Sequence, residues 1–242
     1  TDWQKEITRT AYTWNHNLTF GGGSEGLTYF ASLGMQDQEG VLKNNDLKRY
    51  TGRINVIQKL LNDRLIIDLN LNATNTVSDR PNIEAIIGNA LSLNPTYPAY
   101  DAEGKPSVFP DVTNPLFQLA KYNDITNTTR IIGNISPSFE IIKGLVYKLN
   151  LGVDVSSSDR DVQSVPSTTP QQIGDLDSYF VNNKNSLFEN YLTYAFDKGP
   201  HNVSVMAGYS YQKIFVQSRG WSIDRFADNG IEPRYNPGLG QE

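Results

Sequence analysis

The chain has 242 residues and a mass of 27.1 kDa, within reach of one large all-β unit. It has no Cys and two His, which excludes disulfides, Cys–zinc sites and thiol nucleophiles and argues against a His-rich metal centre. Lys and Arg number 21 against 26 Asp and Glu, and a net charge of −5 argues against a nucleic-acid binder, which needs concentrated cations. Apolar residues make up only 38 %, while 13 Tyr, 19 Gly and 24 Asn suit many strands and turns better than a thick aliphatic core. No stretch approaches the roughly 20 apolar residues of a spanning helix, which leaves a membrane β-barrel open. The start at Thr1, with neither Met nor a signal-like segment, raises the expectation of a piece of a longer protein.

Taken in order, the segments alternate in polarity with period two, one face apolar and the other polar. Tyr12, Trp14, His16, Leu18 and Phe20 make the first stripe, and Leu27, Tyr29, Ala31, Leu33 and Met35 the second. Tyr50, Gly52, Ile54 and Val56 then oppose Thr51, Arg53 and Asn55. The sharpest case sets Leu65, Ile67, Leu69, Leu71 and Ala73 against Ile66, Asp68, Asn70, Asn72 and Thr74. The second half repeats the scheme from Ile131 to Ile141, Leu145 to Val155, Phe188 to Phe196 and Val203 to Tyr211. This predicts eight strands joined as four hairpins, with short turns near 21–26, 61–64, 142–144 and 197–200. Long connections are expected near 37–48, 77–124, 156–184 and beyond 216.

Strands of roughly 10–14 residues, short turns at one end and long loops at the other form the pattern of an outer-membrane barrel. Aromatics near strand ends, among them Trp14, Tyr50, Tyr194 and Tyr211, fit interfacial girdles. Within the longest loop, Ile83, Ile86, Ile87, Ala90 and Leu91 recur at helical spacing after Pro81, which predicts a short helix over 81–91.

Other patterns carry less chemistry. Gly21-x-Gly23-x-x-Gly26 matches the spacing of a dinucleotide loop, but a strand follows where the phosphate site needs a helix N-terminus. Five Asn-x-Ser/Thr triplets lie mostly inside strands, where alternating polar residues generate them by chance. Neither His16 nor His201 has a nucleophile partner, so no catalytic residue is expected. Asp37 to Gly40 and Asp159 to Asp161 read as solvated acidic loop tips without a calcium-loop spacing. No cofactor and no metal site is expected.

Several blocks resemble one family. Thr1-Asp2-Trp3-Gln4-Lys5-Glu6-Ile7, then Asn15 to Gly23, Tyr29 to Gly34, Gln38-Glu39-Gly40 and Arg49 to Asn55 follow in its order. Leu93-Asn94-Pro95-Thr96-Tyr97-Pro98, Tyr100-Asp101, Gly104 and Asn114-Pro115 resemble its first large loop. The family is that of the SusC/RagA-type TonB-dependent transporters of the bacterial outer membrane. The resemblance implies that residues 1–242 are an N-terminal part of an antiparallel transmembrane β-barrel of about 22 strands, with the plug domain and remaining strands absent. It implies import of glycan oligomers or peptides, a SusD-like surface lipoprotein as partner, and a TonB complex acting through the missing N-terminal parts. Asp68, Asn70, Asn72, Asn134 and Asn150 would face the lumen or plug, and the apolar stripes the membrane lipid. Tyr97, Tyr100 and Tyr179, in loops 79–122 and 157–183, are candidate contacts to ligand or partner. The alternatives are a small closed eight-stranded barrel acting as an adhesin or outer-membrane enzyme, and a soluble carbohydrate-binding β-sandwich.

Overall fold

The computed structural model describes residues 1–168 and 170–241. Eight strands form one antiparallel sheet: β1 (Thr13–Gly23), β2 (Leu27–Glu39), β3 (Asp46–Leu60), β4 (Leu65–Arg80), β5 (Tyr122–Ile142), β6 (Leu145–Ser164), β9 (Gly174–Lys198) and β10 (His201–Phe226). Their spatial order follows the chain, β1-β2-β3-β4-β5-β6-β9-β10. The four expected hairpins are all present.

Among the described residues β1 and β10 do not pair with each other, so the sheet is open. It is neither a small closed barrel nor a two-layered sandwich, because no second large sheet covers either face. Register carries the sequence alternation across every strand: Leu18, Leu33, Gly52, Ala73, Ile131 and Val155 are successive partners on one face. That face stays bare. Leu18, Leu33, Ile54, Leu71, Val153 and Val205 are 39–60 % exposed, an apolar expanse that a water-soluble domain does not present. No helix among the described residues is long and apolar enough to cross a membrane.

The strands correct the expected lengths. β1 to β4 run 11–16 residues, but β5, β6, β9 and β10 run 20–26. The expected loop at 157–183 is therefore mostly strand, with a connection of residues 165–173 whose Ser167–Thr168 (β7) and Gln171–Gln172 (β8) form a minor pair. Beyond Val155 the apolar stripe stops, yet the pairing of β6 with β9 continues to Ser164 opposite Asp175, because backbone groups pair whatever side chains they carry. Likewise 37–48 shrinks to residues 40–45, and the chain beyond 216 is strand as far as Phe226. The acidic tips are in strands too: Asp37 and Glu39 in β2, Asp159 and Asp161 in β6.

The long connection, residues 81–121, carries the expected helix as α2 (Ile83–Ser92), capped by Asn82 accepting from the Ala85 amide at 3.2 Å. Two helices went unread: α1 (Trp3–Ile7) and α3 (Pro115–Lys121). Together they enclose a buried cluster of Trp3, Ile7, Leu42, Ile86, Ala90, Leu93, Ala99, Leu116 and Leu119 at the end opposite the short turns. The molecule's main buried core is thus a cap on the sheet's end, not the sheet itself.

Candidate functional site

Two surfaces carry the candidate residues: the polar face of the sheet and the helical cap. On the polar face, Asn70 pairs with Asn134, and the even-numbered positions of β4, β5 and β6 lie side by side. Asp68, Asn70, Asn72, Asn134 and Asn150 therefore share one face, as the alternation required. Asn70 Nδ2 donates to Asp68 Oδ1 at 2.8 Å, and Thr74 Oγ1 to Asn72 Oδ1 at 3.4 Å.

A denser ladder crosses β5, β6, β9 and β10. Ser136 Oγ donates to Asn150 Oδ1 at 2.8 Å, and Asn134 Nδ2 reaches the same oxygen at 3.3 Å. Asn150 Nδ2 donates to Glu189 Oε2 at 3.0 Å, and Ser210 Oγ to Glu189 Oε1 at 3.3 Å. The location follows from Pro137, which has no N–H to give. The β5–β6 ladder skips from the pair Ile135 and Leu151 to Ser138 and Lys148. Side chains bridge the strands where the backbone does not.

Nearer the cap the polar face turns ionic. Arg130 grips Asp154 through two bonds of 2.9 and 2.7 Å. Arg160 holds Asp124 through two of 2.7 and 2.8 Å, with Arg80 3.6 Å from the same carboxylate. Tyr179 belongs here. It lies in β9 opposite Arg160, whose guanidinium sits 5.7 Å from its ring centroid, and not in a loop as the sequence suggested.

Tyr97 and Tyr100 are both in the cap. Tyr97 stacks on Phe109 at 4.8 Å between centroids, and Phe109 meets Trp3 edge-on at 6.1 Å. Trp3 Nε1 donates to the Asn94 carbonyl at 3.2 Å, and the Thr1 ammonium and hydroxyl donate to the carbonyls of Pro95 and Tyr97. The Tyr100 hydroxyl donates to Glu6 Oε2 at 3.5 Å. Burial, then the Glu6 charge and this hydrogen bond, push the Tyr100 phenol above its ordinary value. All three tyrosines remain 41–47 % exposed, but only Tyr97 and Tyr100 share an element.

Asn114, which the sequence marks only as part of the Asn114-Pro115 loop block, holds the cap together. Its side chain donates to the Ala99 and Ser107 carbonyls, each at 3.0 Å, and accepts from the Leu116 amide at 3.0 Å. It thereby caps α3 and ties down the loop that carries both tyrosines. The signal was Asn before Pro, an N-cap followed by a first-turn proline.

A depression of about 660 Å³ lies on the apolar face over Gly52 and Ala73, with Leu33, Met35 and Tyr50 around it. His16 lines it and stacks on Trp14 at 6.4 Å between ring centroids. Among the described residues no group of His, Asp or Glu is arranged to hold a metal ion.

No protein-family model matches the chain. It is 31 % identical over 250 residues to TonB-dependent receptor P3 of Formosa agariphila, covering 97 % of this chain and 25 % of that protein. It is 26 % identical over 256 residues to TonB-dependent receptor SusC of Bacteroides thetaiotaomicron, covering 91 % and 25 %. The chain thus spans about a quarter of the length of the curated relatives it matches. Among solved structures, the RagAB peptide transporter superposes with a TM-score of 0.79 at 24 % identity, over 95 % of this chain and 27 % of that one. That likeness is one of fold.

Proposed function

Because this chain belongs to the SusC/RagA-type TonB-dependent receptors, we propose that it forms part of the barrel wall of an outer-membrane importer of glycan oligomers or peptides. In this reading the bare apolar face meets lipid, and the polar face with Asp68, Asn70, Asn72, Asn134 and Asn150 lines the lumen or the plug. The single observation that carries it is this pairing of an exposed apolar face with a hydrogen-bonded polar one over eight register-matched strands. A water-filled or plugged lumen satisfies Asp and Asn side chains, while hydrocarbon accepts Leu, Ile and Val.

The capped end faces outward, and there a SusD-like lipoprotein docks and hands over ligand. Tyr97 and Tyr100 are placed to meet partner or ligand on the cap, and Tyr179 to meet ligand on the polar face. A plug domain and further strands complete the barrel, and a TonB complex drives transport by proton-motive force through the plug. The chain is a conduit and not a catalyst, in keeping with relatives named as receptors.

The test uses the whole protein. Cells lacking it should fail to take up labelled oligosaccharides or peptides of one class, and the intact gene should restore uptake. Uptake by the restored cells should stop with a protonophore and fall when Tyr97, Tyr100 and Tyr179 are changed to Ala. Uptake unchanged by deletion of the gene, or indifferent to the protonophore, rejects the importer reading.

A further inference from the structure

The apolar face of the last hairpin ends at a definite height. Upward from the β9–β10 turn, its positions are Phe196, Tyr194, Leu192, Asn190 and Phe188 on β9, and Val203, Val205, Ala207, Tyr209 and Tyr211 on β10. Next come Lys213 on β10 and, beyond Ser186, Lys184 on β9. The ten steps from Val203 to Lys213 rise about 34 Å along the strand, or about 25 Å across a bilayer at the usual strand tilt. That is the height of the hydrocarbon band.

The two lysines are neighbours there. Lys184 pairs with Phe215 and Ser186 with Lys213, which makes Lys184 and Lys213 a diagonal pair about 7–8 Å apart on one face. Both are exposed. Among the described residues neither has a salt-bridge partner, whereas Lys48, at the same edge on β3, is matched by Asp37 at 3.7 Å. By register the nearest acidic position on this face is Asp159, opposite Phe180 and four residues along the strand from Lys184. Phe215 beside them is 46 % exposed. Adjacent like charges repel unless an anion lies between them. At this height a bilayer supplies one, in the phosphates of its headgroups.

We propose that Lys184 and Lys213 bind the phosphate groups of an outer-leaflet lipid, whose acyl chains lie along the apolar band with Tyr211 and Phe215 at the interface. This rests on the proposed reading of the face as lipid-facing and the capped end as outward.

The experiment takes the whole receptor into phosphatidylcholine bilayers doped with lipid A, either phosphorylated or enzymatically dephosphorylated, and counts retained lipid by native mass spectrometry. The parent protein should retain the phosphorylated form selectively. Lys184→Gln should weaken retention about fivefold and the double change with Lys213→Gln about 25-fold, while arginine at both positions should preserve it. Equal retention by the double glutamine variant, or of the dephosphorylated lipid, overturns the proposal. Heat-modifiable gel migration of the same samples separates the two failures. A parent protein that shows no such shift sinks the membrane reading and this site with it. A normal shift with charge-blind lipid retention sinks the site alone.

Discussion

Asn150 shows how one residue serves both fold and face. It accepts from Ser136 and donates to Glu189 where Pro137 interrupts the ladder. Ser136 is buried, so Asn150→Leu removes the acceptor of its hydroxyl, leaving the 3.4 Å contact from Asn134 Nδ2, and should destabilise the folded protein by about 1–3 kcal/mol. Urea unfolding of the whole receptor in detergent measures it; a midpoint equal to that of the parent would show the bridge to be idle. Tyr100 offers a second measurement. Its pKa lies above the ordinary 10.0 in the folded chain, chiefly through burial and then Glu6. A raised acid favours the folded state below pH 10, and that contribution is lost as pH rises through the folded value. Glu6→Gln should therefore let Tyr100 ionise at lower pH, seen as earlier phenolate absorbance that is missing in Tyr100→Phe. That Asp68, Asn70, Asn72, Asn134 and Asn150 share one face was legible because side chains alternate strictly along a strand. The Arg160–Asp124 clamp beside Tyr179 was not, since it joins residues 36 apart.

At the scale of elements, the short turns were readable and the strand ends were not. Gly144 makes the β5–β6 turn at φ +82°, and a Cβ there would lie 2.2 Å from the Ala195 carbonyl oxygen. The Ala195 amide in turn donates to the Gly144 carbonyl at 2.8 Å, which fastens the turn to β9. Gly144→Ala combines a left-handed backbone with that clash and should cost about 1–3 kcal/mol, read as a lower yield of heat-modifiable whole receptor. Full yield would mean that the turn can shift freely. The long strands exceed the expected lengths because apolar alternation marks only part of each strand. Past Val155 and before Lys184 that mark disappears, while pairing goes on. A weaker signal was present: residues 153–165 and 175–198 contain neither Gly nor Pro. In the cap, α2 was visible through its apolar spacing, but α1 and α3, at five and seven residues, are too short for a periodic signal.

For the whole molecule, the open edges decide behaviour. Among the described residues β1 and β10 each border the sheet on one side only, apart from a bridge from Asp224 to Gln241, and hydrocarbon does not tolerate such open edges. Expressed alone, residues 1–242 should not insert as a protected monomer. Sedimentation in detergent should find oligomers or aggregates, and protease should cut within the strands in liposomes. A monomer with every strand protected would show that β1 and β10 can close on each other. The cap should depend on its own core: Trp3→Ala removes a residue 4 % exposed that touches both Phe109 and the Asn94 carbonyl. Hydrogen exchange should then speed up in α2 and α3 while β3 and β4 keep their protection; uniform loss across the sheet would tie the cap to the barrel wall.

By itself the sequence determined the eight strands, their hairpin pairing and the side on which each residue falls. Those features depend on local backbone chirality and a two-residue period, which any stretch of strand displays. Only the tertiary structure decided how far the strands reach beyond the apolar band, that Tyr179 stands on a wall and not in a loop, and that three distant segments fold into one cap. Each of these depends on what lies opposite in space. A backbone amide is satisfied by a neighbouring strand whatever the side chains are, and Trp3 finds Phe109 only after the chain has crossed four strands and returned.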